Sequence, residues 1–431
     1  MLTVLIFDSS DRPQRADAAR LSPLTDLRAV FDVRTGALTT LERLTRAAAL
    51  NDLPVPDGLI VPDALAAITR ERQHARPSSA PELPVNDRSR HSPAVLLVNG
   101  AFPLVDTDTT NLELGHALVD QTTGHIVKAH VRPEAIDAVL SGKTDGLKTI
   151  LTDAPALLRP WHVKAHRDAC LAADLALLTR TRPTQSHRSA PGETGIFIAG
   201  SATVHPSAIF DAEHGPIVVD DHATIRPGAI LVGPCYIGEH STVLERTLLK
   251  PGVAVGPHCK VAGEISGTIF QGYANKAHDG FLGDSYVGEW VNLGAGTTNS
   301  NLLNTYADIV ARTLPAVPSA AQRGTPPALG PNERTGQQFL GAIIGDHVKT
   351  AICTRIMTGA VIGAGTMFAA TGPLAGTVPA FSWITDGDDG RPAPRPYRFE
   401  KFIEVARAAM ARRRIAPTSA YTDRLRALAG A

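Results

Sequence analysis

The chain has 431 residues with 42 basic and 42 acidic side chains, which gives a formal net charge of zero at pH 7. This balance lacks the basic surplus typical of nucleic-acid-binding proteins, and no apolar run is long enough to predict a membrane span. The four cysteines are scattered and form no CxxC pair, so they are interpreted as reduced packing residues. The length suffices for two or three domains, and a cytoplasmic protein is expected.

The first 180 residues or so have the pattern of an α/β domain. The opening residues, MLTVLIFDSS, lack the basic region and cleavage site of a signal peptide and are predicted to form a strand at Leu2 to Phe7. The other predicted elements, in chain order, are extended segments at Leu21 to Leu24 and Arg28 to Asp32, a helix at Ala37 to Leu50, strands at Leu59 to Val61 and Ala94 to Val98, and a helix at Val163 to Leu178.

Aliphatic residues recur at every sixth position in the second half of the chain. The period resumes after a gap at Phe281, Val287 and Leu293, and again from Ile344 to Phe368. Six residues fit neither a helix nor a flat sheet, but they fit a coil of three short strands with a turn at each corner. We therefore predict a prism whose stacked coils bury one continuous apolar core. The longest uninterrupted run is Val219, Ile225, Leu231, Ile237, Val243, Leu249, Val255 and Val261.

These patterns divide the chain into an α/β domain (1–180), a linker (181–194), a coil domain (195–385) and a tail (386–431) with a helix at 399–414. Residues 302–338 contain no hexads and many Pro, Gly and Ala residues, so they are predicted to leave the coil as an excursion from a corner. The basic run Arg412 to Arg414 is interpreted as a solvated helix face.

The stretch from Asn275 to Asn301, NKAHDGFLGDSYVGEWVNLGAGTTNSN, departs from the plain repeat. Its motifs H-x-x-F-L-G-D, V-G-x-x-V-N-L-G-A-G-T and S-N-L resemble the H-x-x-Y-L-G-D, I-G-x-x-V-N-I-G-A-G-T and C-N-Y of the left-handed β-helix acyltransferases. The resemblance is greatest to the acetyltransferase half of the bifunctional glucosamine-1-phosphate acetyltransferase and N-acetylglucosamine-1-phosphate uridylyltransferase. It implies a left-handed parallel β-helix of hexapeptide repeats with a C-terminal helix.

The whole chain also resembles a divergent bacterial group of sugar nucleotidyltransferases related to that bifunctional enzyme. This resemblance implies a Rossmann-like, nucleotidyltransferase-like α/β domain before the β-helix. The residues that carry it are Leu21 to Thr25, Asp32 to Gly36, Arg159 to Trp161 and Gly272 to Gly283.

The resemblance implies roles for individual residues of the coil. A histidine titrates near neutral pH, and His278 would be the general base that takes the proton of an attacking amine. Asn292 and Asn301 would bind the sugar, with Phe281 beside them, and Ala295 and Ala370 would lie along a bound acetyl-CoA. Lys276 would either contact a phosphate or be solvated, and Asp279 would either orient His278 or cap the turn.

Three departures from the family pattern concern the acceptor. The tyrosine of H-x-x-Y is Phe281, Ala262 and Ser266 align with the arginine and lysine that hold the sugar phosphate, and Ile352 aligns with a serine near the cofactor. A chain with His278 but without this clamp is expected to acylate a different or nucleotide-linked amino sugar, or to have lost activity.

The N-terminal half departs further from its relatives. The glycine-rich phosphate loop is replaced by Ser9 to Arg20, which has no glycine. Arg20, Thr25, Arg34 and Gly36 match nucleotide-binding positions, and Asp106 and Asp108 are the candidate ligands of a Mg²⁺ ion, with solvated loop residues as the alternative for each group.

The resulting hypothesis is an acetyl-CoA-dependent N-acetyltransferase acting on an amino sugar phosphate or nucleotide-linked amino sugar, in the synthesis of nucleotide sugars such as UDP-N-acetylglucosamine. The resemblance implies a homotrimer with the site between coils. The alternative is a sugar-1-phosphate nucleotidyltransferase that uses a nucleoside triphosphate in the N-terminal domain, with the coil as a trimerisation scaffold. A third reading is a non-catalytic sensor or structural trimer.

Overall fold

The computed structural model describes residues 2–9, 20–75, 82–87, 92–180, 195–315 and 329–430. The predicted linker at 181–194 lies outside these ranges. Within them, none of the helices combines the length and the apolar character that a membrane crossing requires.

The N-terminal domain is built on one mixed sheet of six strands in the order β2-β1-β3-β5-β4-β6. Strands β1, β2 and β3 are parallel, while β5 runs antiparallel to both β3 and β4, and β6 is parallel to β4. The first three are the predicted buried strands, since β1 and β3 carry long aliphatic runs. Their bounds are Leu2–Phe7 for β1, Gly58–Ile60 for β2, Ala94–Asn99 for β3, His116–Asp120 for β4, Ile126–Val131 for β5 and Lys148–Thr152 for β6.

Five helices pack around this sheet. The first begins with a capping box, in which the Thr39 side chain accepts from the Glu42 backbone and the Glu42 carboxylate accepts from the Thr39 backbone. The prediction of an extended segment at Arg28 to Asp32 is wrong, because Val30–Asp32 is a short 3-10 helix. The extended segment predicted at Leu21 to Leu24 is a turn instead. The helices are α1 (Thr40–Leu50), α2 (Asp63–His74), α3 (Ile136–Leu140, after a 3-10 turn at Pro133–Ala135), α4 (His162–Ala165) and α5 (Arg167–Thr179).

The second half is a parallel β-helix with three faces, which confirms the predicted fold class, a left-handed hexapeptide-repeat β-helix after an α/β domain. Face 1 is a sheet of nine strands: Ile196–Ile198, Ile217–Val219, Cys235–Ile237, Val253–Val255, Ile269–Phe270, Tyr286–Val287, Ala342–Ile344, Ala360–Ile362 and Thr377–Val378.

Faces 2 and 3 complete each coil. Face 2 holds Thr203–Val204, Thr224–Ile225, Thr242–Val243, Lys260–Val261, Asn275–Lys276, Lys349–Thr350, Met367–Phe368 and Ser382–Asp386, with Pro392–Pro396 antiparallel at its end. Asn292 bridges the Asn275 and Lys349 strands of that face. Face 3 holds Ile209–Asp211, Ile230–Val232, Leu248–Leu249, Glu264–Ser266, Phe281–Gly283, Thr298–Asn299 and Arg355–Ile356.

The predicted hexad residues fill the interior of the prism. All eight residues of the long run are at most 1% exposed. After Val261 the phase changes, because the next coil turns from Val261 to Ile265 in four residues instead of six. The prediction of Phe281 as an interior residue is therefore wrong, and Leu282 takes that place opposite Ile265.

Aromatic rings form a stacked column along the corner between faces 1 and 2. Neighbouring ring centroids are 4.4–4.8 Å apart, and every member has a positive φ between 54° and 60°. Stacking of flat rings offsets the cost of the left-handed backbone, a conformation in which non-glycine residues are rare. The column consists of His222, His240, His258, Tyr273 and Trp290.

The N-terminal domain is fixed to the coil by buried polar contacts. The Arg28 guanidinium is fully buried and lies 2.8 Å from Asp346 and 3.2 Å from Glu289, both on the coil. Arg72 on α2 lies 2.8 Å from the same Glu289. Arg167 at the start of α5 donates to the Gly267 carbonyl. Removal of any one partner would leave a buried charge, so these contacts hold the two halves in one arrangement.

Two C-terminal helices close the structure, α6 (Phe399–Ala411) and α7 (Ser419–Leu428). Phe402 of α6 packs against Phe381 of the coil, and the Tyr421 hydroxyl of α7 lies 2.7 Å from His347 Nε2. The described part of the excursion forms a hairpin of Val310–Arg312 with Asn332–Arg334, and Glu333 pairs with Arg159 at 2.6 Å. The hairpin therefore contacts the N-terminal domain.

Candidate functional site

His278 lies at the corner between faces 2 and 3, and its imidazole is exposed. The residue two positions before it, Lys276, points into the prism beneath Val261 and is only 2% exposed. The Lys276 ammonium donates to the carbonyl oxygens of Ala262, His278 and Asp279 at 2.9–3.2 Å. These bonds satisfy the buried ammonium and hold the backbone of the corner that carries His278.

This geometry corrects both readings of Lys276. Its ammonium faces neither solvent nor a ligand, because all three of its hydrogen bonds go to backbone carbonyls inside the corner. Burial lowers the pKa of Lys276 to about 8, although the nearby Asp279 opposes that shift.

The corner is wider than the one on the preceding coil. Three residues separate the interior positions Val261 and Ile265, whereas five separate Lys276 and Leu282. Gly280 makes the wider turn possible with φ +109°, and a Cβ atom there would collide with the Thr297 carbonyl oxygen. His278 therefore projects from a corner of the regular six-residue length, which follows one shortened corner on the preceding coil.

Small residues continue this corner on the following coils. Gly280 faces Thr297, and the Cys353 backbone N–H donates to the Ala295 carbonyl at 2.6 Å, so Ala295 lies next to His278 and Ile352 follows. Leu374 bridges Ile356, which puts Ala370 on the fourth coil of the same column. Parallel strands are spaced by about 4.8 Å, so these residues form a continuous edge. We call His278, Ala295, Ile352 and Ala370 the corner column.

The corner column brings together four residues that the sequence analysis singled out. His278 has no side-chain hydrogen bond or ion pair within the described part of the chain, and Ile352 is 72% exposed. One edge of the coil therefore carries an exposed imidazole together with two alanines and an exposed isoleucine.

Asn292 lies on the outer surface of face 2, three residues before Ala295. Its Oδ1 atom accepts a 2.8 Å hydrogen bond from the Asn275 amide on the coil above. Because side chains alternate along a strand, Lys260 and Lys349 lie on the same outer column as these two asparagines. We call Lys260, Asn275, Asn292 and Lys349 the outer column.

Asn301 lies elsewhere, at the far end of face 3. Its amide donates to Asp284 at 2.8 Å, and Asp284 in turn pairs with Arg167 and Lys164 of the N-terminal domain. Within one chain Asn301 is therefore separated from His278 by the whole of face 3. Phe281 lies on the outer surface of face 3 directly after the corner, with its ring against Gly283.

The nucleotide-binding candidates of the N-terminal domain are mostly engaged in packing. Arg34 is 4% exposed and donates to the Gln271 carbonyl and to Ala37, and its guanidinium lies 3.3 Å from Glu42. A Cβ atom on Gly36 would lie 2.5 Å from Asp174 Oδ2. Thr25 is partly buried, and only Arg20 is exposed.

The metal candidates have protein partners. Asp106 accepts from the Lys128 ammonium at 2.6 Å, and Asp108 accepts from both the backbone and the hydroxyl of Thr110. These Thr110 bonds lower the pKa of Asp108. No group of three His, Cys, Asp or Glu side chains with metal-binding geometry exists among the residues that the structure describes.

Separate stretches of the chain are similar to known proteins. Residues 4–183 match the family model of a sugar nucleotidyl transferase. A stretch of 63 residues is 44% identical to the bifunctional protein GlmU of Gloeobacter violaceus and covers 14% of each chain. A longer stretch of 186 residues is 28% identical to GlmU of Corynebacterium glutamicum and covers 41% of this chain and 36% of the relative. Parts of the chain are therefore similar to GlmU proteins at modest identity.

Other relatives extend the comparison. A bifunctional sugar-1-phosphate nucleotidylyltransferase/acetyltransferase of Sulfurisphaera tokodaii is 28% identical over 152 residues, 35% of this chain and 34% of that protein. The chain thus spans well under half the length of these curated GlmU-type relatives. Among solved structures, a UDP-N-acetylglucosamine acyltransferase of Francisella novicida is 13% identical over 51% of this chain and 75% of its own, with a TM-score of 0.23. At that score the likeness carries no further argument.

The outer column and the ring column were missed by the sequence analysis. The histidines at 222, 240 and 258 recur at three hexads, and this spacing was the available signal for the ring column. Lys260 and Lys349 precede interior positions of the repeat, which places them outside on face 2, but the insertion of residues 302–338 hides that they are close in space.

Proposed function

We propose that this chain transfers an acyl group from an acyl-CoA to the amino group of an amino sugar, with His278 as general base. The amine nitrogen attacks the thioester carbon, an N–C bond forms, and the C–S bond breaks. His278 takes the proton of the amine, and the thiolate of CoA leaves and is protonated. The observation that carries the proposal is the corner column, where an exposed, unpaired imidazole stands beside small residues on a rigid edge.

The small residues of the corner column support a role for it in cofactor binding. Ala295 and Ala370 leave room for the extended arm of acetyl-CoA, and the exposed Ile352 offers apolar contact between them. Asn292, on the face before the corner, has a side-chain amide that suits a sugar hydroxyl. Asn301 is remote from His278 within one chain, so in this proposal it contributes only if a neighbouring copy of a trimer supplies it.

The test is thiol release from acetyl-CoA with glucosamine, glucosamine 1-phosphate and a nucleotide-linked glucosamine as acceptors. Loss of a general base typically costs about 10²–10⁴-fold in rate, and we expect that loss for His278→Ala. His214→Ala is the matched control, because His214 is also an exposed histidine of the coil but lies outside the corner column. Equal turnover of wild type and His278→Ala would refute the proposed base, and no turnover with any acceptor would refute acyl transfer to these sugars.

A second candidate function, nucleotidyl transfer to a sugar phosphate, is favoured by the match of residues 4–183 to the sugar nucleotidyl transferase model. In this candidate Arg20 is the best-placed cation, since Arg34 is already paired. Magnesium-dependent release of pyrophosphate from a nucleoside triphosphate and a sugar phosphate, reduced by Arg20→Gln, would support it. Absence of pyrophosphate with every nucleotide would reject it.

A further inference from the structure

A groove runs between the outer column of face 2 and the C-terminal end of α6. The coil supplies one wall, the last turn of α6 and the residues after it supply the other, and the lower rings of the ring column border it. The lining residues are Lys260, Tyr273, Asn275, Trp290, Val291, Asn292, Lys349, Ala409, Arg412 and Arg413.

Four of the lining residues are cations, and none is acidic. Within the described ranges, no carboxylate lies within ion-pair distance of Lys260, Lys349, Arg412 or Arg413. Lys349 is partly buried, and its ammonium has a single, long contact of 3.4 Å to the Trp290 carbonyl. Burial lowers the pKa of Lys349 to about 8. An anion in the groove would supply the opposite charge that these four cations lack.

Two other basic residues of the coil are paired with carboxylates. Lys250 lies 2.6 Å from Glu264, and Arg226 lies 2.7 Å from Glu245, in each case across neighbouring coils. The groove differs in that four cations without a carboxylate partner among the described residues line the same depression. The basic run interpreted from the sequence as a solvated helix face contributes two of the groove's four charges, and Arg413 is partly buried there.

The amides of the groove add a neutral donor. The Asn275 amide N–H donates to Asn292 Oδ1, which leaves the Asn292 NH₂ group without a protein acceptor among the described residues. Two ammonium groups, two guanidinium groups and this amide are all hydrogen-bond donors, and phosphate oxygens are only acceptors. From Lys260 to Lys349 the outer column crosses three strand spacings, roughly 14 Å, a span that accommodates a phosphate or diphosphate with its substituent.

We propose that this groove binds a phosphate or diphosphate group of a small molecule. The groove lies on face 2, whereas Ala262 and Ser266, at the positions of the missing phosphate clamp, lie at face 3 or the turn before it. The phosphate has two chemical sources, the acceptor sugar and the acyl-CoA, and that choice of source alone rests on the proposed function.

The first test is calorimetric titration of the full chain with inorganic pyrophosphate. We expect the double variant Lys349→Met/Arg413→Gln to weaken binding at least tenfold, and raised ionic strength to weaken wild-type binding. Arg407→Gln is the matched control, because Arg407 is an exposed arginine of α6 that does not line the groove; its affinity should stay within twofold of wild type. Equal affinity of the double variant and wild type, or an equal loss in Arg407→Gln, would overturn the proposal, provided that circular dichroism shows each variant folded.

The second test separates the sources. Displacement of pyrophosphate by glucosamine 1-phosphate assigns the groove to the sugar phosphate, and displacement by CoA but more weakly by dephospho-CoA assigns it to the cofactor. If none of these three compounds displaces pyrophosphate, the groove binds neither the sugar phosphate nor the cofactor. Thiol release that needs His278 but persists in the double variant refutes a groove role in that reaction while the proposed function stands. Pyrophosphate binding that needs the cations, in a chain without turnover, supports the groove and refutes the proposed function.

Discussion

In the α/β domain, Arg34 and Gly36 match ligand-binding positions but are buried against protein atoms. In the coil, by contrast, His278 is exposed and Lys349 is partly buried at a groove, and neither has a partner of opposite charge among the described residues. Both regions carry the polar residue types that chemistry needs. In the α/β domain their donors and acceptors are satisfied by the chain itself, as the Arg34 contacts with Glu42 and Gln271 show.

The difference shows that residue type at a family position does not establish function unless the side chain remains available. A buried arginine paired with glutamate cannot also receive a phosphate without loss of that pair. The coil keeps its donors available because outward side chains of a β-helix face solvent or a groove, while only inward ones pack. Four substitutions test this contrast.

Arg28→Met would test whether the basic residues of the α/β domain are structural. Arg28 is fully buried between Asp346 and Glu289, so its loss leaves two carboxylates without that partner. Removal of one partner of a buried pair costs about 3–5 kcal/mol, and we expect a loss of that size in the free energy of unfolding measured with urea. Arg46→Met, at an exposed position of α1, is the control and should cost less than 1 kcal/mol, roughly the range for surface residues. A similarly small loss of stability for Arg28→Met would contradict a structural role for Arg28.

Asp26 is another buried polar residue of the α/β domain, and its ionisation should make the free energy of unfolding depend on pH. Burial, followed by smaller effects that include repulsion from Asp346, raises its pKa from 3.8 to about 6. Because the folded pKa exceeds the unfolded one, the folded state gains protons between these values, and the stability present below pH 3.8 is lost as pH rises through about 6. The shift corresponds to about 3 kcal/mol.

Asp26→Asn should therefore be more stable than wild type above pH 6, with an advantage that grows between roughly pH 4 and 6 and then levels off. Urea unfolding at pH 4, 5, 6 and 7 measures it. An advantage that does not change with pH would contradict the assignment to Asp26.

Gly36→Ala would test whether this glycine serves packing. Its Cβ atom would lie 2.5 Å from Asp174 Oδ2 and 2.7 Å from the Leu171 nitrogen, so α5 must move. Overpacking of this kind costs about 1–3 kcal/mol, measured as a lower unfolding midpoint. Gly200→Ala is the control, since nothing lies within 4 Å of a Cβ atom there. Unchanged stability with a loss of nucleotide binding would favour a ligand role for Gly36 instead.

Lys276→Met would test whether this buried lysine of the coil positions the corner that carries His278. Its expected effect is the smallest of the four. It keeps the side-chain length but frees the carbonyls of His278 and Asp279, so we expect about a tenfold lower kcat for acyl transfer, roughly 1.4 kcal/mol, with little change in KM. A change in KM alone would contradict a positioning role.

The pKa of Lys276 supplies a second readout. Burial lowers it to about 8, so the unfolded chain binds more protons between about pH 8 and 10.5, and the free energy of unfolding should rise with pH in that window. Lys276→Met should lack this rise.

The six-residue period was sufficient to predict the coil and its interior because buried aliphatic side chains must recur wherever the chain turns inward. The period failed at Phe281, because a shortened coil shifts the interior position to Leu282. It also failed at Lys276, a polar interior residue whose ammonium donates to three backbone carbonyls. In the α/β domain the strands were predictable from their aliphatic runs. The segment Arg28 to Asp32 was not, because its contacts are with distant residues: Arg28 pairs with Asp346 and Glu289, and the Val30 N–H donates to Asp8.

The sequence by itself determined the α/β domain, the β-helix and the proximity of His278 and Ala295 to one corner, because a fixed repeat converts spacing along the chain into position in space. Only the tertiary structure decided that Arg34 is paired, that Asn301 lies far from His278, and that Lys260 and Lys349 meet Arg413 in one groove. The reason is that such contacts depend on how turns, coils and helices pack against one another, and no local periodicity records which side chains then meet.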